Sequence, residues 1–217
     1  MNEGVLIPAG YGEAEFTEKR SRFIGRVWPL ESEEEALERL KEIRSRYWDA
    51  THNVYAYILR EGGIMRYSDD GEPQGTSGMP TLTVFRSREI QNALCIVTRY
   101  FGGILLGTGG LVRAYTQAAR LALEAAGVAL LREWEELLIA CPYPLYEKVK
   151  RELELAGAAI SSTDFGADVS IEAMLEKGRS AALNERLREL SSGAVEAVLM
   201  GSQYRAVRLD QEVENHG

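Results

Sequence analysis

The sequence predicts an α+β protein built from two domains. Three observations carry this. The chain has 217 residues, long for one domain of roughly 100–150 and comfortable for two. Strand-like and helix-like periodicities interleave along its whole length. After Gly127 the pattern starts afresh and runs strand, helix, strand, strand, helix, strand. The first domain is assigned to residues 1–127, the second to 128–205 and a frayed polar tail to 206–217. The βαββαβ order of the second domain is that of the ferredoxin-like arrangement.

Taken in order, Glu15 to Leu30 mixes Phe16, Phe23, Ile24, Val27 and Trp28 with basic residues and reads as one extended strand closed by Pro29. Ser32 followed by Glu35 has capping-box spacing, and Leu37, Leu40, Ile43 and Tyr47 recur at helical intervals, so a helix is expected over 33–47. The β-branched and aromatic run from His52 to Leu59 ends at Glu61-Gly62-Gly63, a hairpin into Ile64 to Ser68. Residues 69–80, DDGEPQGTSGMP, read as a loop, because three glycines and two prolines rule out a regular element. TLTVFR at 81–86 is assigned a short helix that gives the loop a packed landing. Ala93 to Thr98 is a strand buried on both faces, and Leu111 to Ala126 a helix stopped at Gly127. In the second domain strands are expected at 129–141, 159–164, 168–175 and 194–204, and helices at 145–156 and 179–191.

Composition narrows the function classes. Hydrophobic residues at 45% and charged residues at 27% are ordinary globular usage. No apolar run approaches the roughly 20 residues that span a bilayer, so no membrane partner is expected and a cytoplasmic protein is the reading. Two cysteines, Cys95 and Cys141, in apolar contexts are expected as reduced core thiols. The net charge of −8 divides unevenly: residues 1–127 carry 15 Lys+Arg against 17 Asp+Glu, and 128–217 carry 10 against 16, giving −2 and −6. Neither half therefore offers bulk affinity for nucleic acid, and a basic patch has to come from a few placed arginines.

Two glycine-rich polar segments, 68–80 and 99–115, concentrate the functional signal. The second, RYFGGILLGTGGLVRAY, follows a buried strand and opens a helix, which sets free amides and the positive end of a helix dipole where an anion can sit. Nucleotide motifs fail residue by residue. From Gly102 to Gly107 the spacing starts a P-loop but Thr108 stands where lysine is needed, and from Gly107 the dinucleotide pattern breaks at Val112. The candidate anion- or RNA-binding residues are Arg22, Arg99 and Arg113 with Gly102, Gly103, Gly107, Gly109 and Gly110. An internal ion pair with the acidic loop is the competing use of the arginines.

In the first segment Asp69, Asp70, Glu72 and Gly75 are assigned to shaping the loop, since Asp side chains bond local amides in turns. EF-hand spacing is absent, and neither a metal nor a cofactor is expected. His52, with Asp49 placed to orient it, and Asp70 are the candidates for proton transfer, although no nucleophile completes a triad. Tyr55 and Tyr57 share one strand face, fit for base stacking or for core packing.

With both segments in view, SDDGEPQGTSGMP at 68–80 and RYFGGILLGTGGLVRAY at 99–115 resemble the two signature blocks of the IMPACT family in its bacterial YigZ-like branch. LIPA at 6–9, EKRSRF at 18–23 and DATH at 49–52 match as well, and the likeness covers residues 5–205. The resemblance implies a first domain of the ribosomal-protein and translation-factor βαβ type, similar to domain IV of elongation factor G, and a second similar to its domain V. It also implies regulation of translation, as in eukaryotic relatives that engage the ribosome-associated activator of an amino-acid-starvation kinase. The function expected is that of a translation-associated regulatory protein, whose first domain contacts the ribosome, structured RNA or a translation-associated protein. The alternative is an enzyme acting on a small phosphorylated or carboxylated metabolite.

Overall fold

The structure is a computed structural model that describes residues 4–209. It resolves into two units, one holding residues 5–130 together with the described residues after 205, the other holding 131–205.

The first unit opens with strand β1 (Val5–Pro8), after which β2 (Gly12–Glu18) and β3 (Ser21–Pro29) form an antiparallel hairpin. The single strand expected over 15–30 is thus two. Its reversal lies at Lys19 and Arg20, which both take positive φ, 45° and 66°. Such turns usually advertise themselves with glycine or asparagine, and here neither residue gives that signal. Helix α1 (Glu33–Arg46) starts where its cap predicts: Ser32 Oγ accepts from the Glu35 amide at 3.2 Å, and three glutamates fill the first turn, where the helix dipole favours negative charge. Strands β4 (His52–Leu59) and β5 (Ile64–Ser68) make the expected hairpin. Helix α2 (Gly78–Ser87) begins inside the segment assigned to loop, so the irregular stretch ends at Ser77. Strand β6 (Ala93–Tyr100) and helix α3 (Thr108–Ala126) complete the unit, α3 beginning three residues earlier than its apolar periodicity indicates.

Five of these six strands form one sheet in the order β2-β3-β6-β4-β5, with β6 antiparallel to both β3 and β4. Strand alternation then sorts side chains to two faces. Phe23, Val27, Val54, Ala56, Ile58, Ala93, Cys95 and Val97 pack against α2 and α3, where Leu82, Phe85, Leu111, Ala118 and Ala122 meet them. Tyr57, Leu59, Leu94 and Ile96 pack on the other face against Ala36, Leu40 and Ile43 of α1. β6 is buried along nearly its whole length because helices cover it on both sides, which explains its unbroken apolar run.

Beyond it, the elements β7 (Val128–Cys141), α4 (Tyr146–Ala156), β8 (Ala159–Phe165), β9 (Val169–Glu176), α5 (Ser180–Ser191) and β10 (Ala197–Arg208) follow in the βαββαβ order. β9 lies between β7 and β8, antiparallel to each, and β10 pairs with β7. Leu137, Ile139, Val169, Ile171, Ala173 and Leu175 pack with Val149, Leu153, Leu183 and Leu187 of the two helices, so both helices lie on one face of the sheet. Residues 206–208, expected to belong to a frayed tail, are instead the end of β10, which runs to Arg208; residues 210–217, with His216, lie outside the described residues. No helix among the described residues is long and apolar enough to cross a membrane.

Candidate functional site

Register places the site. Arg99, at the end of β6, stands opposite Phe23 of β3 and His52 of β4, and all three belong to the face that α2 and α3 cover. The loop after β5 and the loop before α3 close over this end of the sheet. The two glycine-rich segments therefore meet, and their meeting point is an ion pair.

Glu72, only 8% exposed, reaches down from the first loop; its Oε1 accepts from Arg99 Nη1 at 2.5 Å and from the Tyr115 hydroxyl of α3 at 2.7 Å. Arg99 is 4% exposed, its Nη2 donates to Ser21 Oγ at 3.2 Å, and its guanidinium lies 5.4 Å from the Phe23 ring and 5.5 Å from the Phe101 ring. Its Nε is buried without a partner among the described residues. Burial pushes the Tyr115 phenol well above its ordinary value, and the Glu72 carboxylate beside it adds to the rise, so this hydroxyl is a permanent donor. His52 Nδ1 lies 2.7 Å from the Asp70 carbonyl oxygen. A carbonyl only accepts, so Nδ1 carries the proton and Nε2 is left for the cleft, 3.8 Å from Glu72 Oε1.

The loop is held by its other two carboxylates. Asp69 accepts from the amides of Gly75, Ser77 and Gly78 at 2.8, 3.1 and 2.8 Å and from Ser77 Oγ at 2.7 Å, thereby capping α2 from nine positions away. Burial opposes its ionisation, yet these hydrogen bonds prevail and hold its carboxyl below the usual range. Asp70 accepts from the Asn53 amide at 2.6 Å and from Arg44 at 2.7 Å, which fixes the loop to β4 and α1.

On the other side, Gly107 enters α3 with φ of 73°, a conformation open to glycine, and among the described residues no side chain caps the helix. The first-turn amides of Thr108, Gly109 and Gly110 therefore lack a capping acceptor. Gly102 is needed for close approach, since a Cβ there would lie 2.0 Å from the Arg20 carbonyl carbon. Between the loops opens a cleft of about 350 Å³ with His52, Glu72, Arg99 and Thr108 at its polar positions. Its walls are apolar, with Leu106 and Leu111 inside and Phe101 and Leu105, 43% and 82% exposed, at the lip.

Of the residues singled out in the sequence, the structure brings His52, Glu72, Arg99 and Gly107 to this cleft. Arg22 is not among them; its exposed guanidinium makes a two-point pair with Glu15 at 2.7 Å. Arg113 lines a smaller hollow with Phe16, Lys19 and Leu106. Asp49 does not orient His52 but accepts from the Tyr100 hydroxyl at 2.9 Å. Tyr55 and Tyr57 stack at 6.1 Å, and Tyr57 is buried against α1, where its hydroxyl donates to Glu33. Ser21 and Tyr115 were missed as partners of the ion pair. A small polar residue inside EKRSRF and an aromatic at a helical core position carry no separate signal.

The fold and the cleft define a two-unit α+β protein whose first unit joins two glycine-rich loops through a buried arginine–glutamate pair. Residues 19–123 match the model of the Impact N-terminal domain, and residues 139–194 match a domain of unknown function, DUF1949. The chain is 35% identical to the IMPACT family member YvyE of Bacillus subtilis (strain 168) over 84% of each chain. It is 30% identical to the IMPACT family member YigZ of Escherichia coli (strain K12), over 89% of this chain and 97% of that one. To the Protein IMPACT homolog of Dictyostelium discoideum it is 39% identical, over 46% of this chain and 30% of that protein. A solved structure described as the crystal structure of a hypothetical protein superposes with a TM-score of 0.59 at 29% identity, covering 93% of this chain and 99% of the other. The chain belongs to the IMPACT family.

Proposed function

We propose that this is a cytoplasmic, translation-associated regulatory binding protein, whose first unit receives an anionic group of the ribosome, a structured RNA or a translation-factor partner in the cleft ahead of α3. The observation that carries this is the convergence on one cleft of the uncapped α3 N-terminus and the buried Arg99, whose Nε has no partner among the described residues. The first unit then stands as the counterpart of domain IV of elongation factor G, and the second, with its βαββαβ order, as a ferredoxin-like counterpart of domain V. Arg99 acts from within the cleft and Arg22 and Arg113 lie outside it, so the contact is a small socket for one group rather than a broad basic surface.

The test is co-sedimentation with ribosomes across a salt series, comparing the protein with Thr108→Asp. Thr108 is exposed in the first turn of α3, where a carboxylate suits the helix dipole, so the variant folds while placing negative charge at the cleft mouth. Binding weakened by about tenfold or more, with a shallower salt slope, supports the reading. Equal binding by both proteins, or none at low salt, ends it.

A second reading is favoured by His52, whose Nδ1 is held by a carbonyl while Nε2 faces Glu72 inside the cleft. That pairing suits an enzyme acting on a small phosphorylated or carboxylated metabolite. Native mass spectrometry that finds a defined metabolite on the purified protein, lost in His52→Ala, selects it.

A further inference from the structure

The face of the second unit's sheet opposite its helices holds a cleft of about 350 Å³, lined by none of the residues of the site above. Strand alternation brings Glu136 and Leu138 of β7 and Glu172 and Met174 of β9 to one face, and Met200 and Gln203 of β10 border the same cleft. Leu138 and Met174 form an apolar floor, and Met200, 63% exposed, is a wall with little to pack on. Val198, Leu199 and Tyr204, all 55–60% exposed, carry apolar surface further along β10. A solvated sheet face ordinarily carries polar residues at such positions.

The two carboxylates are the other half of the observation. Glu136 Oε1 accepts from Gln203 at 2.9 Å, and Glu172 Oε2 accepts from Ser162 Oγ at 2.9 Å. Neither has a cation within ion-pair distance among the described residues. Elsewhere in the unit Glu133 pairs with Lys177, Glu152 with Arg186, Glu176 with Arg179 and Glu196 with Arg188, whereas Glu154 and Glu189, also unpaired among the described residues, stand exposed on helices outside the cleft. The cleft thus couples unneutralised negative charge to an apolar bed. A lysine or arginine side chain has the matching chemistry, with an aliphatic stem to lie on methionine and leucine and a cationic head for the carboxylates.

We propose that this face docks a basic segment of a partner protein, a stretch in which lysine or arginine alternates with apolar residues, with one cationic side chain seated between Glu136 and Glu172. The exposed apolar residues of β10 favour a peptide segment over a single free amine. Residues 131–205 hold 9 Lys+Arg against 13 Asp+Glu, a charge of −4 that steers a basic segment toward the unit and repels the phosphates of RNA.

The experiment uses the full chain and a fluorescein-labelled octapeptide of alternating lysine and leucine, read by fluorescence anisotropy at low and moderate salt. Glu136→Gln/Glu172→Gln keeps shape and removes two charges from the cleft. Glu154→Gln/Glu189→Gln removes two charges from exposed positions on α4 and α5. Docking at the cleft predicts affinity lowered by about tenfold in the first variant and less than about twofold in the second. Met200→Ser should also weaken binding with every charge in place. Thr108→Asp should leave binding unchanged, which separates this outcome from that of the first-unit reading. Equal losses in the two glutamine variants would mean bulk attraction to an acidic protein and overturn the proposal. So would absence of binding at low salt, or retention of an RNA hairpin that Glu136→Gln/Glu172→Gln strengthens.

Discussion

Arg99 and Glu72 stand 27 positions apart in sequence and meet at 2.5 Å between two loops, each side chain at most 5% exposed. A pair so buried is held by geometry rather than by net electrostatic gain, because removing two charges from water costs nearly what their attraction returns. Its consequence appears when one partner is removed. Glu72→Gln strands the Arg99 charge and weakens the acceptor of the Tyr115 hydroxyl, so urea unfolding should show a loss of about 3 kcal/mol. Tyr115→Phe should cost about 1–2 kcal/mol, since it deletes one hydrogen bond to a charged acceptor. The double variant should cost clearly less than the sum, because both lesions share Oε1 of Glu72. Additivity would mean that the three side chains do not act as one network.

This pair also shows where sequence reading stops. The α1 cap is legible because Ser32 and Glu35 sit three residues apart and report on each other locally. The β4–β5 hairpin is legible because Gly62 and Gly63 mark its turn. The competing use of the arginines, an ion pair with the acidic loop, is what Arg99 makes; that Glu72 rather than Asp69 or Asp70 supplies the partner is not legible, since all three read alike as turn chemistry. The Lys19–Arg20 turn is hidden for a related reason: the register of β2 on β3 imposes positive φ on residues whose own preference gives no hint of it. The cleft was half legible, through the glycines that open α3, while its apolar walls resemble any core leucines.

Asp69 provides a test by pH. Its carboxyl is held below the ordinary value of 3.8 by hydrogen bonds from Gly75, Ser77 and Gly78 that outweigh the effect of burial. A depressed folded-state value means that its stabilisation is fully present above pH 3.8 and is lost as pH falls from there through the folded value. Asp69→Asn should therefore cost about 1 kcal/mol at neutral pH, in line with the loss of a helix cap. The gap between variant and parent in chemical unfolding should narrow in acid. A gap that stays constant from neutral pH into strong acid would contradict the assigned hydrogen bonds.

Cys95 is fully buried between β3 and β4, and burial pushes its thiol up to about 12, while the nearby Arg26 only partly opposes the shift. Cys141 is also buried and raised, by burial first and then by Asp168. The thiolate is the reactive form, so neither residue should be labelled by iodoacetamide at about pH 8 in the folded protein, and both should react in denaturant. Rapid labelling of Cys95 under native conditions would mean that the sheet opens at β6.

Helix α3 approaches the sheet more closely than side chains allow, and glycine makes this possible. A Cβ on Gly25 of β3 would lie 2.4 Å from the Ala118 carbonyl oxygen and 3.3 Å from the Ala122 Cβ; one on Gly12 of β2 would lie 2.1 Å from the Ala126 amide nitrogen. The neighbour at Gly25 is helix backbone, which cannot rotate aside as a long side chain would, so the added methyl must push α3 off the sheet. Gly25→Ala should cost about 3 kcal/mol or more, whereas Gly10→Ala, with nothing within 4 Å of its new Cβ, should stay within about 0.5 kcal/mol of the parent. The displacement should also reach the cleft. α3 carries both Tyr115, which holds Glu72, and the Thr108 end that borders the cleft, so a shifted helix loosens the Arg99–Glu72 network. Hydrogen exchange in Gly25→Ala should therefore quicken at residues 69–78 as well as along α3. Normal protection in that loop beside a destabilised helix would mean that the two are not mechanically joined.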